Sequence, residues 1–246
     1  MATVPTSPMY EWRTVLRHRA PLRWMHWINL ACLVALLGSG LQIFHAHPAL
    51  YWGETSNFGR PLLAFAGVPD WAMIPGYRAL ALGRRWHFFF GWLWVINGAF
   101  YLAWAIASRH LRQDLAMQGR DWRAIPGSIS DHLRFRHPVG VQALRYNPLQ
   151  KLAYLGVVFV LAPLAILTGL SMSPQMDTVL GWWLSLIGGR QSARTLHFIV
   201  MALFVLFAVV HTLMVVYAGP LNSMRSMLTG RFRVRLPRDG ETDDGP

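Results

Sequence analysis

The sequence contains a single cysteine, Cys32, which lies inside an apolar run. One thiol cannot form an internal disulfide, provide four ligands to an iron–sulfur cluster or supply the C-x-x-C-H attachment of a c-type haem. The chain is therefore not expected to be a disulfide-stabilised domain, a cysteine-ligated iron–sulfur protein or a c-type cytochrome.

Charged residues are also scarce, at 14% of the 246 residues, while 54% of the residues are hydrophobic. A soluble domain usually carries about 25% charged residues. The 11 acidic residues are outnumbered by 23 lysines and arginines, and the formal net charge is +12. Basic chains often bind nucleic acid or membranes. Because the positive charges lie between long apolar runs, we predict membrane lipid as a partner and no nucleic acid.

Four apolar runs, at residues 22–44, 86–108, 152–172 and 196–217, are long enough to cross a bilayer, which takes about 20 residues. Backbone polar groups in lipid must be satisfied internally, so each run is predicted to be a helix. We therefore predict an all-α membrane protein, a four-transmembrane-helix bundle. The first run is too long for a cleaved signal peptide and lacks its small-residue cleavage site. Pro163 is expected to kink the third helix.

The distribution of lysine and arginine predicts the orientation of these helices. Of the 23 basic residues, 17 lie in three segments: the N-terminal segment, the connection between the second and third helices, and the C-terminal tail. The positive-inside rule therefore predicts that both termini are cytoplasmic. The predicted organisation is a cytoplasmic N-terminal segment (1–21), a four-helix domain (22–231) with a long outer loop (45–85) and a basic inner loop (109–151), and a disordered cytoplasmic tail (232–246).

Four of the ten histidines lie in the apolar helices: His26, His87, His197 and His211. Ionisable groups inside a membrane are costly and usually functional, and neutral imidazole is the usual axial ligand of a b-type haem. With a rise of about 1.5 Å per residue, His26 lies about 10 Å and His211 about 7 Å to the cytoplasmic side of the centre of its helix. His87 and His197 lie about 15 Å and about 14 Å to the outer side.

Depth therefore sorts the histidines into an inner pair, His26 with His211, and an outer pair, His87 with His197. The two on the fourth helix are nearly four turns apart, so both can face one bundle interior. We predict two haem b groups, each with its iron held by one pair. The alternative is that the buried histidines only form hydrogen bonds to neighbouring helices.

Three arginines each precede one of these histidines by three residues: Arg23, Arg84 and Arg194. At that spacing the two side chains share a helix face. Each arginine lies one turn nearer its own membrane surface, where it could pair with a haem propionate. The alternative is that these arginines extend toward the polar surface from helix ends.

The other histidines are expected to be solvated or interfacial: His18, His45, His47, His110, His132 and His137. Small residues recur in the apolar runs and permit close approach of helix backbones or of a flat porphyrin. They are Gly38, Ser39, Gly40, Gly91, Gly98 and Gly169.

Ordered motifs in the first, third and fourth helices resemble those of a known family. They are Arg23-x-x-His26-Trp27 with Ser39-Gly40-Leu41, then Leu167-Thr168-Gly169-Leu170, then Ala193-Arg194-x-x-His197-Phe198 with His211, and finally Met227-x-x-Gly230. Together they resemble the di-haem membrane cytochrome b subunits of bacterial formate dehydrogenase, nickel–iron hydrogenase and thiosulfate reductase. The likeness covers about residues 17–231.

The resemblance implies the same two histidine pairs, a location in the bacterial inner membrane, a periplasmic catalytic redox subunit at the outer face and a quinone site near the inner haem. The quinone would be menaquinone or ubiquinone. The segment 146–151 resembles the quinone-contacting segment of the formate dehydrogenase relatives, and Asn147 is the residue carried over. The alternative for Asn147 is an ordinary helix cap.

The outer loop is longer than the formate dehydrogenase type leads us to expect, which favours the thiosulfate reductase-like subunits and leaves the partner open. One alternative function is a stand-alone di-haem quinone reductase such as a superoxide oxidase. An alternative of another class is a transporter or structural anchor without haem. Homo-oligomer formation also stays open.

Overall fold

The computed structural model describes residues 10–76, 78–133, 144 and 146–237. The α-helices within these ranges are α1 (Ala20–His45), α2 (Leu80–Ala107), α3 (Gly119–Leu133), α4 (Pro148–Gly156), α5 (Ala162–Ser171), α6 (Asp177–Ile187), α7 (Arg190–Tyr217) and α8 (Pro220–Thr229). The strands are β1 (Tyr10–Leu16), β2 (Ala49–Leu50), β3 (Leu63–Ala64) and β4 (Arg231–Pro237). Short 3-10 turns occupy Asp70–Ala72 and Pro174–Met176, and π turns occupy Leu111–Leu115 and Val157–Leu161.

Four helical segments are long and apolar enough to cross a membrane: α1, α2, the combined segment Pro148–Ser171, and α7. This confirms the predicted four-helix membrane architecture. Helices α2 and α7 each begin six residues before the predicted apolar run, because the arginine-containing turns that precede the run continue the helix. Large apolar side chains such as Phe89 and Trp92 are exposed on α2, as expected for a surface that faces lipid.

The third spanning segment is irregular at the predicted proline. Pro163 is the second residue of α5, and the π turn Val157–Leu161 lies immediately before that helix. Proline lacks a backbone N–H, and its ring clashes with the carbonyl four residues earlier. A π turn widens the helix locally and accommodates that clash. The irregularity expected at Pro163 thus takes the form of a π turn.

The chain forms two compact units. The described residues within 1–24, 105–152 and 211–246 form the first unit. Those within 25–104 and 153–210 form the second unit.

In the first unit, β1 and β4 pair antiparallel, from Tyr10 with Pro237 to Leu16 with Arg231. Phe232 and Val234 are buried, while the alternating arginines of β4 are exposed. Residues 232–237, which the sequence assigned to a disordered tail, therefore form a strand. The rest of that tail, 238–246, lies outside the described residues.

Gly230 makes the turn into β4 possible. Its φ is +83°, a conformation that side chains other than glycine's rarely adopt. A Cβ added there would lie 2.7 Å from the carbonyl oxygen of His18. Since β1 precedes the first spanning helix and β4 follows the fourth, their pairing places both strands on the same side of the membrane.

In the second unit, the outer loop contacts the first two turns of α7. The carbonyl of Gly53 accepts the N–H groups of Gln191 and Ser192 at 3.0 and 3.2 Å. The hydroxyl of Thr195 donates to the carbonyl of Tyr51 at 2.6 Å. The first N–H groups of a helix have no partner within it, so the outer loop satisfies donors that α7 leaves open. It also fixes the end of the helix that carries His197.

Candidate functional site

The two imidazoles of the predicted outer pair lie side by side in the second unit. His87 is the eighth residue of α2 and His197 is the eighth residue of α7. Their ring centroids are 6.2 Å apart, with an angle of 69° between the ring planes. The depth argument from the sequence thus paired two residues that the structure brings together.

Each of these imidazoles is contacted by a hydroxyl and a glycine of another helix, which is α1 for His87 and α5 for His197. The Oγ of Ser39 on α1 lies 3.1 Å from the Nδ1 of His87. The Oγ1 of Thr168 on α5 lies 3.0 Å from the Nδ1 of His197. Ser39 is 0% exposed and Thr168 is 1% exposed, so neither hydroxyl is solvated. In the sequence, Ser39 was noted as a small residue and in a family motif and Thr168 only in a family motif, and this contact was not predicted.

The glycine next to each hydroxyl lies against the same ring. A Cβ added to Gly40 would lie 3.3 Å from the Cε1 of His87. A Cβ added to Gly169 would lie 3.2 Å from the Cε1 of His197. Both distances are shorter than ordinary van der Waals contacts between carbon atoms. These two glycines therefore let the rings approach the backbones of α1 and α5.

The inner pair is matched in depth along its own helices. His26 is the seventh residue of α1, and His211 is the seventh residue from the end of α7. The ring of His26 contacts that of Trp27 edge to face, with centroids 5.4 Å apart. His26 and His211 belong to different units, and their pairing stays a prediction.

The three arginines that were predicted to pair with haem propionates differ in their surroundings. The guanidinium of Arg194 donates to the carbonyl of His47 and lies over the ring of Phe44, 5.4 Å from its centroid. Arg84 is exposed, 6.0 Å from the ring centroid of Phe88. The Nε of Arg23 is buried and has no hydrogen-bond partner among the described residues.

Asn147 caps helix α4 in the first unit. Its side-chain oxygen accepts the N–H of Leu149 at 3.0 Å and also the hydroxyl of Ser128. Its own N–H donates to the side chain of Gln150 at 3.1 Å. This is the reciprocal hydrogen bonding of a helix N-terminus, so the capping alternative describes the observed contacts.

A buried ion pair lies beside this cap. The Nζ of Lys151 is 3.0 Å from the Oδ2 of Asp121 on α3, and both side chains are buried. The pKa of Asp121 is lowered by the hydrogen bond from the N–H of Gln118 and by Lys151. A carboxylate with a lowered pKa stabilises the folded state above its unfolded pKa, and this contribution is lost as pH falls.

We therefore expect the Tm of the detergent-solubilised protein to fall on acidification from about pH 5, near and below the pKa of an unpaired aspartate. Asp121→Asn should lower the Tm at neutral pH and make the acid-induced drop smaller. The measurement is thermal unfolding between neutral and acidic pH for both proteins. Equal acid-induced drops in Tm would contradict a stabilising role for the Asp121 charge.

The histidines outside the two pairs take part in local contacts. His45 accepts the N–H of Val68 at 3.2 Å, and His47 is hydrogen-bonded to the hydroxyl of Tyr51 at 3.0 Å. His110 lies 2.7 Å from Asp114. His18 lies between β1 and α1. His137 and the side chain of His132 lie outside the described part of the chain.

Apolar spanning helices with imidazoles paired between them define the class of membrane cytochromes that hold haem through histidine. Residues 17–230 match the family described as prokaryotic cytochrome b561. The chain belongs to this family, and it is a multi-pass membrane protein that binds haem b and transfers electrons.

Named relatives agree with this assignment. The chain is 28% identical over 228 residues to a probable Ni/Fe-hydrogenase B-type cytochrome subunit of Cupriavidus necator, with 88% of this chain and 82% of the relative covered. It is 30% identical over 208 residues to a putative protein-methionine-sulfoxide reductase subunit, YedZ1, of Azospira oryzae, with 80% and 89% covered. A probable Ni/Fe-hydrogenase B-type cytochrome subunit of Azotobacter vinelandii is 24% identical over 231 residues, with 88% and 87% covered.

The spacing of the outer imidazoles would suit a haem iron held between them. A bond from a metal to an imidazole nitrogen is about 2 Å long and the ring centroid lies about 1 Å further, so two imidazoles on opposite sides of one iron have centroids about 6 Å apart. The rings of His87 and His197 have centroids 6.2 Å apart. The hydroxyl contacts are made by both Nδ1 atoms, so Nε2 would be the ligand atom on each ring.

Proposed function

We propose that this chain is the membrane-anchoring cytochrome b subunit of a bacterial respiratory complex. It relays electrons between a periplasmic oxidoreductase, of the molybdenum-enzyme or hydrogenase type, and the quinone pool of the inner membrane. Both termini are cytoplasmic in this proposal. The pairing of β1 with β4 supports a common side for the two strands, and the excess of arginine in these segments supports the cytoplasmic side. The relatives named as hydrogenase and reductase subunits support a catalytic partner.

The observation that carries the proposal is the 6.2 Å spacing of the rings of His87 and His197. These two residues are proposed to hold the outer haem, and His26 with His211 the inner one. A bound haem b takes up or gives off one electron through its iron. The chain supplies neutral imidazoles from α1, α2 and α7 and an apolar environment around them, which tunes the reduction potential.

The test is the haem content of the purified protein. A reduced-minus-oxidised spectrum and a pyridine haemochrome assay should give two b-type haems per chain. The absence of b-type bands would overturn the proposal and favour a transporter or structural anchor. A redox titration that resolves only one component, with one haem per chain, would overturn the di-haem arrangement.

The arginines are proposed to pair with haem propionates. The Nε of Arg23, buried and without a hydrogen-bond partner in the described part of the chain, supports this role at the inner haem. At the outer haem, Arg84 is exposed and free to reorient, whereas Arg194 is engaged by the carbonyl of His47.

Replacing Arg84 with alanine should therefore lower the midpoint potential of the outer haem, because a nearby positive charge favours the reduced iron. The shift is measured by redox titration followed at the haem absorption bands. Arg85→Ala, one position along the same helix, is the matched control and should leave the potential unchanged. An unchanged titration for Arg84→Ala would contradict the propionate role.

The outer loop and the connection 173–195 are proposed to bind the periplasmic catalytic subunit. Phe58 is 77% exposed and Trp71 is 86% exposed on the outer loop. Exposed aromatic side chains are typical of protein interfaces. The hydrogen bonds from the loop to the first two turns of α7 hold it in place beside His197.

Co-purification tests this part of the proposal. A stoichiometric catalytic subunit bound to the wild-type chain, and lost from Trp71→Glu with haem content unchanged, is the expected result. A chain that purifies alone and reduces quinone with superoxide would favour the stand-alone enzyme.

Quinone is proposed to react near the inner haem, with Asn147 as one contact. The amide oxygen of Asn147 is engaged in capping α4, so a hydrogen bond to quinone would come from the amide nitrogen. Aspartate also caps helices well but has no side-chain N–H donor.

Asn147→Asp should therefore keep the Tm of the wild-type protein and lower the rate of quinone reduction, while Asn147→Ala should lower both. The rate is measured with a soluble quinone analogue and reduced protein, and the Tm by thermal unfolding. A wild-type rate for Asn147→Asp would limit Asn147 to its capping role.

A further inference from the structure

Two spanning segments present the same local arrangement to the outer imidazoles. On α1, the hydroxyl of Ser39 donates to the carbonyl of Ala35 at 2.6 Å and lies 3.1 Å from the Nδ1 of His87. The neighbouring Gly40 lies against the Cε1 of the same ring. These contacts fix the position of one edge of the His87 imidazole.

On α5, the arrangement is repeated almost atom for atom. The hydroxyl of Thr168 donates to the carbonyl of Leu164 at 2.6 Å and lies 3.0 Å from the Nδ1 of His197. Gly169 lies against the Cε1 of that ring. Helices α1 and α5 thus each offer a hydroxyl–glycine pair, Ser39–Gly40 or Thr168–Gly169, to a histidine on another helix.

The hydrogen-bond chemistry determines which ring nitrogen carries the proton. A hydroxyl has one hydrogen, and in both residues the short bond to the backbone carbonyl four residues earlier uses it. The hydroxyl oxygen can then only accept from the imidazole. The same hydroxyls also lie 3.3 Å and 3.4 Å from the carbonyls of Leu36 and Ala165, three residues earlier. Carbonyl oxygens only accept, so the hydroxyl hydrogen stays with the backbone and each Nδ1 donates to the hydroxyl oxygen.

We propose that Ser39 and Thr168 are positioning residues that hold both outer imidazoles with hydrogen on Nδ1 and thereby lower the reduction potential of the outer haem. This rests on the proposed function, in which His87 and His197 are the ligands. An imidazole that donates its Nδ1–H becomes a stronger electron donor through Nε2, which favours the oxidised iron. The same bonds set the orientation of the two rings.

The experiment compares Ser39→Ala, Thr168→Val and the double variant with the wild-type protein. The control is Ser171→Ala, because Ser171 is a fully buried hydroxyl on α5 that donates to the carbonyl of Leu167 at 2.6 Å. The Ser171→Ala variant therefore reproduces the loss of a hydroxyl–carbonyl hydrogen bond in the same helix as Thr168, without a hydrogen bond to a histidine among the described residues. Ser39→Thr and Thr168→Ser keep the hydroxyl and test rescue.

The readouts are haem content, the midpoint potentials of both haems and the EPR signal of the outer ferric haem, which reports the angle between the ring planes. His87→Ala, which retains only the inner haem, identifies which titration component is the outer one. We expect the outer potential to rise in each single variant and further in the double variant. The inner potential, Ser171→Ala and the conservative variants should match wild type.

An unchanged outer potential in Ser39→Ala and Thr168→Val, with both haems retained, would overturn the inference and leave the proposed function intact. An equal rise in Ser171→Ala would also overturn it, because a general packing effect would then account for the shift. By contrast, a wild-type chain without haem b, or His87→Ala with both haems, would refute the proposed function itself. If the Thr168→Val protein does not accumulate, the midpoint potential of the outer haem in Ser39→Ala alone tests the inference.

Discussion

Replacing His197 with alanine is expected to lower the haem content from two haems per chain to one. The variant loses one of the two imidazoles proposed to hold the outer haem, whereas the proposed inner pair, His26 with His211, is untouched. The pyridine haemochrome assay measures the content. The redox titration should show a single remaining component, with the potential of the inner haem.

Two further variants make this result specific. His47→Ala removes an outer-loop imidazole that stacks on Tyr51 and has no proposed haem contact, so both haems should remain. His211→Ala should remove the other haem and leave the outer component. Retention of both haems in His197→Ala, or loss of the same component in His197→Ala and His211→Ala, would contradict the assigned pairs.

Replacing Gly169 with valine is expected to remove the outer haem almost completely although no ligand is changed. A Cβ at this position already lies 3.2 Å from the His197 ring, and the two γ-carbons of valine need more room. The opposing atoms belong to an imidazole held by Thr168, so the ring must leave its position. Haem content and the reduced-minus-oxidised spectrum measure the effect.

Gly156→Val is the matched control, because Gly156 lies in the same spanning segment and an added Cβ there meets, among the described residues, no atom within 4 Å beyond its own helix backbone and chain neighbours. It introduces the same residue, with the same cost to helix propensity, and should retain the outer haem. Gly40→Val should behave like Gly169→Val, since its Cβ would lie 3.3 Å from the His87 ring. Equal haem loss in Gly156→Val and Gly169→Val would refute a local steric cause.

The spanning helices and the pairing of His87 with His197 could be predicted because both follow from regular geometry. Lipid allows few backbone conformations, so a long apolar run predicts a helix. A constant rise per residue then converts positions 87 and 197 into similar depths. The structure places both as the eighth residue of a 28-residue helix, which is more regular than the apolar runs suggested.

The contacts of Ser39 and Thr168 could not be predicted from depth alone. Whether a hydroxyl meets the Nδ1 of a ring on another helix depends on helix rotation and side-chain rotamers, which apolar runs do not encode. The signal was present as a repeated Ser/Thr-Gly-Leu step in α1 and α5. Small residues serve helix packing more often, so the repeat alone did not indicate a histidine contact.

The short elements outside the membrane were missed for a different reason. Strand β4 alternates arginine with apolar residues from Arg231 to Leu236, a period of two that is typical of a half-buried strand. Its partner β1 lies more than 200 residues earlier in the chain. A search for runs of about 20 apolar residues detects neither strand.

The pairing of β1 with β4 has a consequence for biogenesis. β1 is synthesised before α1, but its partner strand is made only after α7, and the two can meet only if an even number of the intervening helices has been inserted. A chain that skips one helix leaves the strands on opposite faces of the bilayer, with exposed edges that a protease or chaperone can recognise. Pairing of β1 with β4 is thus incompatible with the loss of a single spanning helix.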